Sequence, residues 1–110
     1  MSSISTHVLD TVSGKPAVAV ALRLWAGERL VFSGHTNEDG RCPAIRELEL
    51  SAGKYKIEFD VGEYFLQKHY SVSEPLFLDV IPIAFGLSAE GHVHVPLLVA
   101  PHGYSTYRGS

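Results

Sequence analysis

Apolar and polar positions alternate with a period of two along most of this chain, and short clusters of turn residues interrupt the alternation. It is cleanest from Lys54 to Asp60, where Tyr55, Ile57 and Phe59 point one way and Lys54, Lys56 and Glu58 the other. Val18 to Trp25 predicts a second half-buried strand, with Val18, Val20, Leu22 and Leu24 on one face. Further extended runs are His7 to Val12, Leu30 to Thr36, Glu47 to Leu50, Leu76 to Phe85, His92 to Val99 and Tyr104 to Tyr107. Between them lie Ser13-Gly14-Lys15-Pro16, the Asp-Gly turn of Asn37-Glu38-Asp39-Gly40, Ser51-Ala52-Gly53 and Ser88-Ala89-Glu90-Gly91. Pro82 lies inside its run and predicts an edge strand or a bulge. Only Val61 to His69 departs from the rhythm. Tyr64, Phe65 and Lys68 follow a spacing of three to four and predict one short helix on an edge or rim. About eight strands with turns every 8 to 12 residues predict an all-β chain of two packed antiparallel sheets.

Composition narrows the class. With 110 residues the chain has the length of one domain, spanning 1–110, and 45% hydrophobic with 19% charged residues describes an ordinary folded protein. The net charge of -3 comes with no basic run, so nothing here suits nucleic acid. No apolar stretch approaches the roughly 18 residues of a membrane span, and "MSSISTHVLD" has neither the basic nor the apolar part of a secretion signal. The expected location is the cytoplasm, or the periplasm if a leader was removed. The one cysteine, Cys42, has no thiol partner for a disulfide or a zinc site, so packing alone must hold the fold.

Histidine is the unusual component, with six at positions 7, 35, 69, 92, 94 and 102. Most strand histidines do nothing chemical, so position must single them out. His92 and His94 leave the same face of their strand, as two metal ligands would, but no second His-x-His or Cys pair completes a site. No metal is expected. Arg41 follows the Asp39-Gly40 turn and projects from the start of a strand near a sheet end, where an arginine commonly only solvates a hairpin. Glycine-rich phosphate loops and a Gly-x-Ser-x-Gly elbow are absent from the sequence, and Ser105 and Ser110 lie in no motif. Cys42 would need a lowered pKa to attack anything. Water activated by histidine is the simplest chemistry on offer.

Four segments, "STHVLDTVSGKPA" at 5 to 17, "TNEDGRC" at 36 to 42, "GKYKIEFD" at 53 to 60 and "HVPLLVAPHGYSTYRGS" at 94 to 110, together resemble the 5-hydroxyisourate hydrolases, also called transthyretin-like proteins. The resemblance covers essentially the whole chain. Its middle would suit many prealbumin-like sandwiches, whereas His7 in "HVLD" and the terminal "YRGS" separate the hydrolases from the hormone-carrying transthyretins. Where the family usually has an aromatic before the last histidine of its His-x-His, this chain has Val93, which the period of two places on the face opposite His94.

The resemblance implies a prealbumin-like β-sandwich assembled as a homotetramer, a dimer of dimers, with active sites where two dimers meet. It implies a hydrolase of purine catabolism that opens 5-hydroxyisourate without a cofactor. Carried over by motif, the catalytic positions are His7, Arg41 and His94, and Tyr107, Arg108, Gly109 and Ser110 line the substrate pocket. The residue types fit: lactam hydrolysis needs a base for water, donors for an oxyanion and a proton for the departing nitrogen. Two histidines can divide the first and third tasks, and Arg41 can hold a carbonyl or anionic edge. The sequence does not say which histidine is base. A carrier of aromatic ligands is the alternative, although it has no use for those three residues together with "YRGS". A structural or adhesion sandwich is a further one.

Overall fold

The computed structural model describes residues 1–109. Its strands are β1 (Ser2–Asp10), β2 (Lys15–Pro16), β3 (Ala21–Ala26), β4 (Arg29–His35), β5 (Gly53–Asp60), β6 (Val80–Leu87), β7 (Gly91–Ala100) and β8 (Gly103–Thr106). They form two four-stranded sheets, β2-β1-β7-β8 and β4-β3-β5-β6. The period of two explains the core between them. Ile4 and Val8 of β1, Leu22 and Leu24 of β3, Ile57 and Phe59 of β5, and Leu97 and Val99 of β7 are all buried there. Each such side chain contributes about 1.5–3 kcal/mol by leaving water. The expected prealbumin-like sandwich is present, and Tyr55, Ile57 and Phe59 point inward together as the alternation predicts. Pro82 lies in an edge strand, β6, a position that tolerates proline.

Several elements differ from the sequence expectation. The first sheet is not wholly antiparallel, because β1 and β7 run parallel from Ser2↔Gly91 to Asp10↔Val99. They are joined through the rest of the molecule rather than by a hairpin, so nothing forces opposite directions. β1 begins at Ser2, well before His7. Lys15–Pro16 is not merely a turn but a two-residue edge strand on β1, a position that tolerates proline. Val18 is exposed and outside β3, since Ala19 adopts φ +62° and breaks the run. Glu47 to Leu50 forms no strand and touches β1 only through a bridge between Leu50 and Ser2. Ahead of it stands an unexpected helical turn, α1 (Pro43–Arg46), where proline at the first position suits a helix start and buried Ile45 anchors it.

The expected helix is α2 (Val61–Gln67), between β5 and β6. It reaches across to the first sheet through Asp10, a fully buried carboxylate. Tyr64 Oη donates to Asp10 Oδ2 at 2.7 Å, Tyr70 Oη donates to the same oxygen, and the Val12 and Ser13 N–H groups donate to Oδ1. Burial alone would raise the Asp10 pKa, but the four donors outweigh it and hold the carboxyl below the usual range. Burial and the same carboxylate push the Tyr64 hydroxyl well above its ordinary range. No helix among the described residues is long and apolar enough to cross a membrane.

Candidate active site

The parallel pairing of β1 with β7 sets the site. Its register places Ser3 beside His92, Ser5 beside His94 and His7 beside Pro96. Alternate residues share a face, so Ser3, Ser5, His7, His92 and His94 all leave the outer side of the first sheet, away from the core. The hydroxyls are close enough to bond the rings: Ser5 Oγ lies 2.8 Å from His94 Nδ1.

Arg41 reaches the same face by a route the sequence did not suggest. The Asp39-Gly40 turn does not start a strand. It returns the chain to β1, where Arg41 makes a bridge with His7 and the Val8 N–H donates to Gly40 O at 2.8 Å. Asn37 organises the turn, its Oδ1 accepting from the N–H groups of Asp39 and Arg41. Gly40 has φ +73°, and a Cβ there would lie 2.5 Å from Val8 O and 3.3 Å from the His7 ring. Glycine is required both for the turn and for this close approach.

The terminal segment meets the other histidine. The Gly109 N–H donates to His94 O at 2.8 Å. A Cβ on Gly109 would stand 2.5 Å from His94 Cδ2. Thus His7 and His94 each pack against a residue without a side chain.

Ser5, Arg41, Arg46, His92 and His94 line a cavity of about 420 Å³. An acidic chain therefore gathers two arginines and two histidines around a space large enough for a small ring, with no carboxylate in its lining. His94 is also a wall of a second groove of about 360 Å³, which Tyr107 and Arg108 line with β6. Of the positions expected from sequence, His7, Arg41, His94 and Gly109 come together, and Tyr107 and Arg108 border the adjoining groove. Tyr107 is 60% exposed. Ser110 lies outside the described residues.

Electrostatics favours the neutral form of the rings. Burial first, and the positive charge of Arg41 second, lower the pKa of both His7 and His94. A hydrogen bond to the Asp39 backbone opposes this at His7, and for His94 the charges of His7 and His92 add to it. His92 is lowered by burial and by Arg46. A neutral imidazole near neutral pH is a competent proton acceptor. Cys42 is buried, and burial raises its pKa, so it is no nucleophile. Among the described residues no three His, Cys, Asp or Glu side chains converge as metal ligands.

Sequence reasoning missed Ser5 and Arg46. The signal for Ser5 was present, because Ser3, Ser5 and His7 alternate with Ile4 and Thr6, a strand pattern continuous with "HVLD". Arg46 had no such signal, since it depends on the unexpected turn α1.

Comparison with known proteins gives the family. A 5-hydroxyisourate hydrolase of Halalkalibacterium halodurans is 49% identical, over 97% of this chain and 97% of its own. The structure of Klebsiella pneumoniae 5-hydroxyisourate hydrolase superposes with a TM-score of 0.88 at 34% identity, covering 100% of this chain and 94% of that one. An (S)-allantoin synthase structure superposes with a TM-score of 0.92 at 40% identity, and there this chain matches 99% of its own length but spans only 44% of the other. The model of the HIUase/Transthyretin family matches residues 4–109, and with these likenesses it shows that the chain belongs to that family.

Proposed function

We propose that this protein hydrolyses 5-hydroxyisourate, opening its cyclic amide to give 2-oxo-4-hydroxy-4-carboxy-5-ureidoimidazoline on the route from urate to allantoin. The observation that carries the reading is the meeting of His7, Arg41 and His94 on one sheet face, beside a cavity with no carboxylate in its wall. The 49% identity to a protein named for that hydrolysis supports it.

In this mechanism His94 takes the proton of water. Its Nδ1 is engaged by Ser5, which leaves Nε2 for the reacting molecule. Water oxygen bonds to the carbonyl carbon, and Arg41 holds the carbonyl or anionic edge of the ring as charge develops on oxygen. His7, bridged to Arg41, hydrogen-bonds the substrate as a neutral ring, and His94 hands the proton it took from water to the departing nitrogen. The family motif assigns substrate binding to Tyr107, Arg108, Gly109 and Ser110. We assign the chain a single domain, a homotetrameric assembly and the cytoplasm on the same reading, with no cofactor in the chemistry.

The test is direct. Mixing the protein with freshly made 5-hydroxyisourate should accelerate the decay of its ultraviolet absorbance; decay at the spontaneous rate would refute the proposal. Tight binding of an aromatic ligand without turnover is the result expected of a carrier instead.

A further inference from the structure

Ser3, His92, Ser5 and His94 form an unbroken hydrogen-bonded chain on the outer face of the first sheet. Ser3 Oγ lies 2.7 Å from His92 Nδ1, His92 Nε2 lies 2.9 Å from Ser5 Oγ, and Ser5 Oγ lies 2.8 Å from His94 Nδ1. The parallel register produces this order, since Ser3↔His92 and Ser5↔His94 are pairs two residues apart along the same two strands. Every ring nitrogen that faces the chain has a hydroxyl partner, and every link has ordinary hydrogen-bond length.

The central hydroxyl has one proton and two lone pairs, and with that proton placed within the chain both rings are constrained. If Ser5 donates to His92 Nε2, it accepts from Nδ1–H of His94, and His92 carries its own proton on Nδ1 toward Ser3. With the chain reversed, Ser3 donates to His92 Nδ1, His92 Nε2–H donates to Ser5, and Ser5 donates to His94 Nδ1. In either polarity the two histidines hold their proton on the same nitrogen.

We propose that Ser5 is the positioning residue for His94, and that with His92 and Ser3 it forms a relay that sets the tautomer of His94 and carries off the proton His94 takes from water. The identity of that proton donor rests on the hydrolase reading above; the coupling of the two tautomers does not. With Nε2 of His94 bare, the O–H bond of water breaks as its oxygen bonds to the carbonyl carbon, whose π pair moves onto oxygen. The water proton binds His94 Nε2. The His94 Nδ1 proton passes to Ser5 Oγ, the Ser5 proton to His92 Nε2, the His92 Nδ1 proton to Ser3 Oγ, and the Ser3 proton to solvent. One proton enters at His94 and one leaves at Ser3, with every group neutral before and after. When the carbon–nitrogen bond breaks, the oxyanion's pair re-forms the carbonyl. The nitrogen takes the bond pair and a proton from His94 Nε2, as solvent refills the chain through Ser3. Arg41, Arg46 and His7 are the charged and titratable groups around these rings, and they favour the neutral imidazoles that the relay needs.

Long-range proton–nitrogen correlation spectra of the protein labelled with ¹⁵N-histidine, at a pH where the rings are neutral, should show His92 and His94 in the same tautomer. Ser5→Ala should abolish that match and lower kcat by about ten- to a hundredfold with KM within about twofold, and Ser5→Thr, which keeps the hydroxyl, should restore both. Opposite tautomers in the wild-type protein would overturn the proposal, as would Ser5→Ala with kcat within about twofold of wild type. Should Ser5→Ala fail to fold, the wild-type spectrum decides alone. A wild-type protein without turnover would sink the hydrolase reading and leave the spectral test standing.

Discussion

Gly109 and His94 touch so closely that a methyl group has no room between them: a Cβ on Gly109 would stand 2.5 Å from His94 Cδ2, 3.0 Å from its Cβ and 3.1 Å from its Cγ. The constraint comes from the ring, and the ring is held on its other side by Ser5. Gly109→Ala should therefore tilt His94 away from Ser5 and cost about a hundredfold in kcat, the scale of loss from a misplacement of about 1 Å. Circular dichroism and the melting temperature should stay close to wild type, because Gly109 borders the site and not the core. Unaltered turnover would show that the tail yields instead of the ring.

Removing the chemistry outright should be at least as damaging. His7→Ala, Arg41→Ala and His94→Ala are each expected to lower kcat by about a hundredfold or more, as when a positioned acid, base or charge donor is lost. Size-exclusion chromatography should show the assembly of the wild-type protein. Three variants with near-normal rates would place the reaction elsewhere.

The charge of Arg41 has a consequence that can be read without substrate. Burial first and Arg41 second lower the pKa of His7 and His94, so both rings stay neutral to a lower pH than a free histidine of pKa 6.5. Arg41→Gln removes the second cause, and the midpoints of both histidines should rise in an NMR titration. Since His94 must be neutral to accept a proton, the acid limb of residual kcat/KM should move to higher pH with them. Midpoints that stay in place would mean that burial alone sets them.

Asp10 governs stability rather than rate. Its pKa is depressed in the folded state, so its contribution is complete above the unfolded carboxyl value, near 3.9, and is lost as pH falls through the lower folded value. Asp10→Asn should cost about 3 kcal/mol in urea unfolding at pH 7, because an amide has one acceptor oxygen where the carboxylate has two, so its NH2 must face either the tyrosine hydroxyls or the Val12 and Ser13 N–H donors. At about pH 2 the gap between variant and wild type should narrow. A gap that is constant with pH would show that shape, not charge, makes Asp10 necessary.

Deleting Arg108 to Ser110 removes the Gly109 N–H from His94 O and opens the groove beside it. The truncated protein should fold and show little activity, since the core lies between the sheets. Normal hydrolysis of 5-hydroxyisourate would reduce these residues to a tail.

Much of the sandwich was legible because alternation and burial are the same fact: Tyr55, Ile57 and Phe59 are inside because every second residue of β5 must be. The two helical segments differ instructively. Tyr64, Phe65 and Lys68 announce α2 by a spacing of three to four, whereas α1 has one buried anchor, Ile45, and too few residues to show any period. His7, Arg41 and His94 were recoverable from motifs, yet motifs said nothing of how they meet. That depends on a parallel register between residues 89 apart, such as Ser5 and His94, which no local pattern encodes. The strand pattern marked the position of Ser5 but not its partner, and Arg46 was missed because it belongs to α1.

The same pairing fixes an order of events. β1 is made first, but its neighbour β7 is made among the last of the strands, and the loop closed between them is most of the molecule. Closing so long a loop gives slow, nonlocal folding. Until Gly91–Ala100 has been synthesised, β1 has beside it only the two-residue β2 and the single bridges at Arg41 and Leu50. During synthesis the segment Ser2–Asp10 waits longest for its main partner strand, and the face shared by Ser5, His7 and His94 is complete only once β7 is made.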